Sequence, residues 1–237
     1  DLVAEFETQI EETTAKLTTQ KDIDAVTEVG QNLADYEAAL DELVAARKTK
    51  DDAFADWSRL GWSITESMDD AMEEVIDPAK AAAERAEDFE ALVEWSDIDI
   101  HMNEDVIQPF LLLRVAALYL VKTETDEQWN AYQAQLREAQ RGVADWGTLV
   151  QGHPELEAAA KDIEGYLSEY QAAGEKYHAA ILSERDANTV MVMAARGAQG
   201  KADDLLAAKK EAMLAAQRSA ATMALGTAGV AILLGIG

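Results

Sequence analysis

Residues 26–43 read VTEVGQNLADYEAALDEL, and this stretch decides the fold. Its apolar side chains alternate in spacings of three and four residues, at Val26, Val29, Leu33, Tyr36, Leu40 and Leu43. This is the heptad pattern of a helix that buries one stripe against neighbouring helices. The stripe continues through the polar residues Arg47 and Lys50 and becomes apolar again at Phe54, Trp57, Gly61, Ile64 and Met68. The pattern predicts one long helix that serves two apolar cores separated by a polar layer.

Proline and turn-forming residues indicate where the helices end. The residue before a proline avoids helical geometry, so Asp77-Pro78 should end the long helix begun at Asp22. Pro109 should kink the helix that contains it or mark its start. Pro154 suits the first turn of a last long helix. Between these points we predict helices over residues 81–95, 104–121 and 127–149, with a loop over residues 96–103.

The composition excludes several classes of function. The 237 residues include 20 Lys and Arg against 46 Asp and Glu, which gives a net charge of −26 and argues against binding nucleic acid. There is no cysteine, so disulfides and thiol chemistry are excluded. The three histidines lack metal-ligand spacing, and no phosphate-binding glycine motif is present. We therefore expect no enzymatic activity, cofactor or metal.

The end of the chain differs sharply from this acidic body. Residues 219–237, SAATMALGTAGVAILLGIG, carry no charged side chain. A helix needs about 20 apolar residues to cross a bilayer. The segment therefore predicts the start of a transmembrane helix, truncated at Gly237, that anchors the domain.

One short motif occurs twice. LADYEAA at residues 33–39 returns as LSEYQAA at residues 167–173. The repetition favours a duplicated bundle carried by two long helices. Chance similarity between two heptad sequences is the alternative.

A second apolar stretch, PFLLLRVAALYL at residues 109–120, contains a single charge at Arg114. It is apolar around most of a helix, so it should be buried inside a bundle. A buried guanidinium needs a partner. Arg114 therefore either forms a salt bridge or binds a ligand carboxylate through its planar fork. Trp62 and Thr65 fall at the height of the long helix that should oppose it.

Three segments together resemble a known family, the helical bimodular sensor domain of methyl-accepting chemotaxis proteins and some sensor histidine kinases. They are LADYEAALDELVAARKTKDDAF at residues 33–54, LLLRVAALYLVKTETDE at 111–127 and LSEYQAAGEKYHAAILSERDANTV at 167–190. The resemblance covers most of residues 6–237. It departs from the family at Ala117, where the family's second arginine would fall, and the family's first helix should lie before Asp1.

The resemblance implies an all-α fold of two stacked antiparallel four-helix bundles that share two long helices. Residues 1–50 with 186–218 would form a membrane-proximal bundle without its first helix, and residues 51–185 a membrane-distal bundle. The implied protein is a homodimer in the inner membrane with this domain in the periplasm, and it binds a small organic acid. The ligand site would comprise Arg114, Tyr119, Trp62, Thr65, Tyr166 and Tyr170.

Two alternatives stay open at this point. The chain could be the sensor domain of a histidine kinase, which recognises a periplasmic binding protein through residues 97–105. It could also be a membrane-anchored helical spacer that binds no ligand.

Overall fold

The computed structural model describes the backbone of residues 2–234 and the side chains of residues 5–220. Within this range the chain is all-α, as predicted, and no residue lies in a strand. The helices are α1 Leu2–Thr14, α2 Gln20–Asp70, α3 Asp77–Arg85, α4 Phe89–His101, α5 Gln108–Thr123, α6 Asp126–Leu149 and α7 Pro154–Leu234. Two π-helical turns, Ala71–Ile76 and Met102–Ile107, join α2 to α3 and α4 to α5.

The chain divides into two compact units. One comprises Asp1–Leu43 with Arg185–Gly237, and the other comprises Val44–Glu184. The long helices α2 and α7 each contribute residues to both units. The arrangement of the units as stacked four-helix bundles remains a prediction.

Unit Val44–Glu184 has a continuous apolar core. Its fully buried large side chains come from α2, α4, α5, α6 and α7 and include Ile64, Ile98, Phe110, Leu113, Leu120, Tyr132, Trp146 and Ile163. Burial of each such side chain contributes about 1.5–3 kcal/mol. This core fixes the relative positions of α2, α5 and α7, the three helices that form the candidate site.

The break between α5 and α6 falls where the sequence predicts it. Glu124 adopts the left-handed conformation, with φ of 53°, after the last residue of α5. Thr125 then caps α6, because its side chain accepts a hydrogen bond of 3.3 Å from the backbone N–H of Gln128. The predicted start of the last helix at Pro154 is also confirmed.

The prediction that Asp77-Pro78 ends the long helix is wrong, because the chain stays helical through it, whereas Pro109 marks the start of α5, which is one of its two predicted roles. Each proline is the second residue after a π-helical turn and lies in the first turn of the α-helix that follows. A π turn accommodates an extra residue, which lets the backbone pass the proline ring without its clash with the carbonyl four residues earlier. The loop predicted over residues 96–103 is also wrong, because α4 runs to His101 and the second π-helical turn begins at Met102.

The buried stripe of α2 also differs from the predicted one. Around the polar layer Ala39, Ala46 and Ala53 are buried, whereas Leu40 and Phe54 are 38% and 41% exposed. Leu43, Trp57, Ile64 and Met68 are buried as predicted, so the shift of one residue affects only the alternate positions 39, 46 and 53. The small alanines allow close packing of the helices, and the larger neighbours lie at the edge of the stripe.

The polar layer belongs to unit Val44–Glu184 and is built around Lys50. Its ammonium lies 2.6 Å from a carboxylate oxygen of Glu124 and 2.6 Å from one of Glu184. Arg47 donates a hydrogen bond of 2.9 Å to the other oxygen of the Glu184 carboxylate. The hydrogen bond from Lys50 and the contact with Arg47 lower the pKa of Glu184, although burial opposes them.

Unit Asp1–Leu43 with Arg185–Gly237 contains α1 and parts of α2 and α7. Val26 and Val29 of α2 are buried in it. An ion pair joins Lys209 of α7 to Asp22 of α2, and the hydrogen bond from Lys209 lowers the pKa of Asp22.

Most of the predicted membrane segment, residues 219–237, lies outside the part of the chain whose side chains are described, because that part ends at residue 220. Among the described residues, the helical stretch Phe89–Thr123 is long and apolar enough to cross a membrane. This is weak evidence of membrane association, because a core helix of a soluble protein passes the same test.

Candidate functional site

Arg114 lies on α5 and is held against α2 by two contacts. Its guanidinium carbon is 5.3 Å from the centre of the Trp62 ring, which is cation–π geometry. Its Nη1 donates a hydrogen bond of 3.4 Å to Oγ1 of Thr65. The Thr65 hydroxyl donates in turn to the carbonyl of Gly61 at 2.9 Å, which leaves its oxygen free to accept from Arg114. The side chain is therefore positioned by α2 alone.

Arg114 forms no ion pair with any acidic residue in the described part of the chain. The salt-bridge alternative raised by the sequence is therefore absent there. The guanidinium is half-buried and carries five N–H donors, of which the Thr65 hydroxyl accepts one. Donors directed away from Thr65 are available to a ligand or to water.

A pocket opens beside this guanidinium, between α2, α5 and α7. Its volume is about 90 Å³. The lining residues are Phe54, Trp57, Ser58, Gly61, Arg114, Ala117, Leu118, Val121 and Tyr170. Gly61 provides part of this space, because a Cβ there would lie 3.6 Å from Cε2 of Tyr170 and 3.9 Å from Nε of Arg114. The pocket thus combines one cation, the hydroxyl-bearing side chains of Ser58 and Tyr170, and mainly apolar walls.

Aromatic rings form the inner wall of the pocket. The Trp57 ring lies 4.9 Å, 5.3 Å and 5.7 Å from the ring centres of Tyr132, Tyr170 and Tyr177. The Tyr132 hydroxyl donates to the Tyr170 carbonyl at 3.3 Å. Burial raises the pKa of Tyr170, and nearby Arg114 opposes this only in part. The Tyr170 phenol therefore stays neutral at pH 7.

The indole N–H of Trp57 is a buried donor that has no hydrogen-bond partner. The side chain is 3% exposed and packs edge to face on Tyr132. An unsatisfied buried donor costs about 1–3 kcal/mol.

Four of the six residues predicted for the site lie together. Trp62 and Thr65 hold Arg114, and Tyr170 lines the pocket. Tyr119 and Tyr166 do not line it. Tyr119 is 54% exposed on the outer side of α5, and Tyr166 packs against the core elsewhere on α7.

Sequence reasoning missed most of the lining residues, although the signal was present. On α5 the lining positions follow Arg114 at spacings of three, four and seven residues, at Ala117, Leu118 and Val121. On α2 the same spacing relates Phe54 to Trp57, Ser58 and Gly61. These spacings place side chains on one face of a helix. Following the face that carries Arg114 would have found them.

The predicted burial of residues 109–120 is wrong for half of the helix. Phe110, Leu113, Ala116, Ala117 and Leu120 are buried. The opposite side of α5 is exposed, and we refer to its apolar residues as the α5 face: Leu111, Leu112, Val115, Leu118 and Tyr119. The helix is apolar all round, yet the described neighbours cover only one side of it.

Comparison with known proteins adds no assignment. No protein-family model matches the chain, and no curated protein is significantly similar to it.

Proposed function

We propose that this chain is the extracytoplasmic sensor domain of a bacterial transmembrane chemoreceptor, and that Arg114 binds the carboxylate of a small organic acid. The observation that carries the proposal is the unpaired guanidinium beside a pocket. Arg114 has no acidic partner among the described residues of a chain that contains 46 Asp and Glu. A half-buried guanidinium in such a chain is suited to a carboxylate supplied from outside.

The pocket walls indicate the kind of acid. The pocket is small, with a volume of about 90 Å³. This suits a short-chain carboxylate whose apolar carbon atoms contact Leu118 and Val121. Ser58 offers a further hydrogen-bonding group to a hydroxyl or carbonyl substituent of the ligand.

The ligand would act on α7 through Tyr170. This residue lines the pocket and belongs to the helix that runs from Pro154 to Leu234. A ligand that binds one position of α7 more tightly than another shifts the population toward that position. In the proposed receptor, that shift passes along α7 to a C-terminal anchor in the inner membrane, with the domain in the periplasm.

The test is titration calorimetry of the purified chain with a panel of mono- and dicarboxylates of two to six carbon atoms. We expect Arg114→Ala to weaken binding by about 30-fold or more, because the ligand would lose a charged hydrogen-bond partner. Arg141→Ala is the matched control, since Arg141 is exposed on α6 and pairs with Glu138. If no acid binds, or if Arg114→Ala binds as the wild type does, the proposal is wrong and the ligand-free spacer is favoured.

A further inference from the structure

The pocket beside Arg114 has a charged end and an apolar end. At the charged end, Trp62 and Thr65 of α2 hold the guanidinium. Leu118 and Val121 line the pocket further along α5, four and seven residues after Arg114. Seven residues of an α-helix rise by about 10 Å. The apolar end therefore lies about that far from the cation along the axis of α5.

The helix α2 supplies the opposite wall of the apolar end. The two helices run antiparallel, because Thr65 contacts Arg114 whereas Lys50 contacts Glu124. Phe54 lies between positions 50 and 65 of α2, so it is opposite the C-terminal half of α5. Its ring lines the pocket there. Apolar side chains from two helices thus enclose the end that is distant from Arg114.

The apolar end is also open to the surface. Phe54 and Leu118 line the pocket, yet they are 41% and 63% exposed. The volume of the pocket is only about 90 Å³. The first carbon atoms of an acid bound at Arg114 can occupy this volume, and a longer chain can continue over these two exposed side chains. The length of the ligand is therefore not limited to what the pocket encloses.

The apolar end offers no partner for a second charge. Arg114 is the only charged residue among those that line the pocket in the described part of the chain. Glu124 follows Val121 by three residues, but Lys50 lies 2.6 Å from it and 2.6 Å from Glu184. A second carboxylate on the ligand would lose water at this end without gaining a cation, and an ammonium would find no carboxylate among the lining residues.

We propose that the site selects acids with one negative charge and an uncharged aliphatic chain. An extended chain of about six to eight carbon atoms spans the length of the pocket, given C–C bonds of about 1.5 Å. Phe54, Leu118 and Val121 are the specificity-determining residues, because they contact the chain and reject a second charge. This inference rests on the proposed function and narrows its ligand from small organic acids in general to aliphatic monocarboxylates.

The test is titration calorimetry of the full chain with acids that differ in one feature at a time. Hexanoate, adipate and ε-aminocaproate have equal numbers of carbon atoms and differ in the group at the far end. We expect hexanoate to bind at least about tenfold more tightly than the other two, because only its far end is uncharged. Butyrate and octanoate differ in chain length alone. Octanoate should bind at least about tenfold more tightly, since each half-covered methylene contributes roughly a factor of two.

Two variants test the apolar end itself. Leu118→Ser should reduce the gain from butyrate to octanoate to less than about threefold, because it removes apolar contact with the chain. Val115→Ser is the matched control on the same helix, since Val115 is 48% exposed and does not line the pocket. Val121→Lys places a cation at the apolar end, so it should improve adipate binding by at least about tenfold and weaken hexanoate binding. Circular dichroism checks that each variant keeps its helicity.

The outcomes separate this inference from the proposed function. Adipate that binds as tightly as hexanoate, or octanoate that binds no more tightly than butyrate, would overturn the inference. The proposed function would still stand if Arg114→Ala weakened that binding. Adipate binding that Lys122→Gln abolishes would also overturn the inference and assign the second carboxylate to that exposed lysine of α5. Absence of binding by every acid, or octanoate binding that Arg114→Ala leaves unchanged, would overturn both.

Discussion

The Cα of Gly142 on α6 faces the carbonyl of Asp105 in the second π-helical turn. A Cβ at position 142 would overlap the Asp105 carbonyl oxygen and lie 2.7 Å from its carbonyl carbon. Pro109 follows Asp105 by four residues and has no N–H to donate to it. The α-helical hydrogen bond that Pro109 cannot donate and the close approach of α6 therefore concern the same carbonyl. The glycine is required by this approach, since its own backbone is helical.

Gly142→Ala should be strongly destabilising. The added methyl group would force the backbone of the π turn to move. We therefore expect a loss of about 1–3 kcal/mol in the free energy of unfolding. Gly165→Ala is the matched control, because nothing lies within 4 Å of a Cβ at that helical position of α7. It should instead stabilise by about 0.5–1 kcal/mol. Thermal and urea unfolding followed by circular dichroism measure both, and a Gly142→Ala variant as stable as wild type would contradict the close approach.

The π turns show what the sequence could and could not predict about the helices. Glycine and proline at residues 152–154 end one helix and start the next, as expected, because the chain there has a positive φ at Gly152. Pro78 and Pro109 also lie in the first turn of an α-helix, but each of these helices follows a π-helical turn without a break. The difference is tertiary, since Ile76, Ile98, Met102 and Val106 are buried around these turns and favour continuation. Local propensity is overridden by packing that no single segment reveals.

The one-residue difference in the stripe of α2 has a similar origin. A heptad reading assigns the larger apolar residue, Phe54, to the core. The structure places Ala53 in the core, where it is fully buried, and leaves Phe54 41% exposed. Lys50 and Trp57 belong to both registers, so the choice between the two adjacent positions depends on neighbouring helices that are distant in sequence. Spacing alone carries no information about them.

The register predicts a contrast between two adjacent substitutions to the same residue. Ala53→Leu should cost about 1–3 kcal/mol, because it forces extra methylene groups into a packed interior. Phe54→Leu should change stability by less than about 1 kcal/mol, because position 54 is 41% exposed. Urea unfolding of both variants measures the contrast. Larger destabilisation from Phe54→Leu would support the register expected from the sequence.

Acid should weaken the Lys50 layer. The hydrogen bond from Lys50 lowers the pKa of Glu184 below its ordinary value of 4.5. A carboxyl with a lowered pKa in the folded state stabilises the protein above the unfolded pKa, and this contribution is lost as the pH falls through the folded pKa. At pH 7, Glu184→Gln should therefore cost about 1–2 kcal/mol. The difference from wild type should shrink below pH 4.5 and vanish once Glu184 is protonated.

The control for this experiment is Asp56→Asn, an exposed carboxylate 3.9 Å from Arg59. It should change the free energy of unfolding by less than about 1 kcal/mol at either pH. Urea titrations at pH 7 and at several values below 4.5 measure the differences. A Glu184→Gln effect that is the same at all these values would show that the charge of Glu184 contributes nothing.

The sequence predicts the charge of the candidate site better than it predicts the shape of the pocket. Arg114 is identifiable as the single charge in the apolar stretch 109–120, and Trp62 and Thr65 are identifiable because they lie at the same height on the long helix. The space itself depends on Gly61, where the absence of a side chain leaves room beside Tyr170. An isolated glycine within a heptad stripe gives no sign of whether it serves packing or a cavity.

Gly61→Ala should reduce ligand binding in the pocket without destabilising the fold. The added methyl would lie 3.6 Å from Tyr170 and 3.9 Å from Arg114, which is ordinary contact, so no clash is expected. Alanine also favours the helix over glycine by about 0.5–1 kcal/mol. Stability should therefore rise or stay constant. The methyl occupies part of the ~90 Å³ pocket, so affinity for an acid identified by calorimetry should fall by about tenfold or more. A variant that binds with unchanged affinity would show that the ligand does not enter the space beside Gly61, whereas one that loses stability would show that this space is needed for packing.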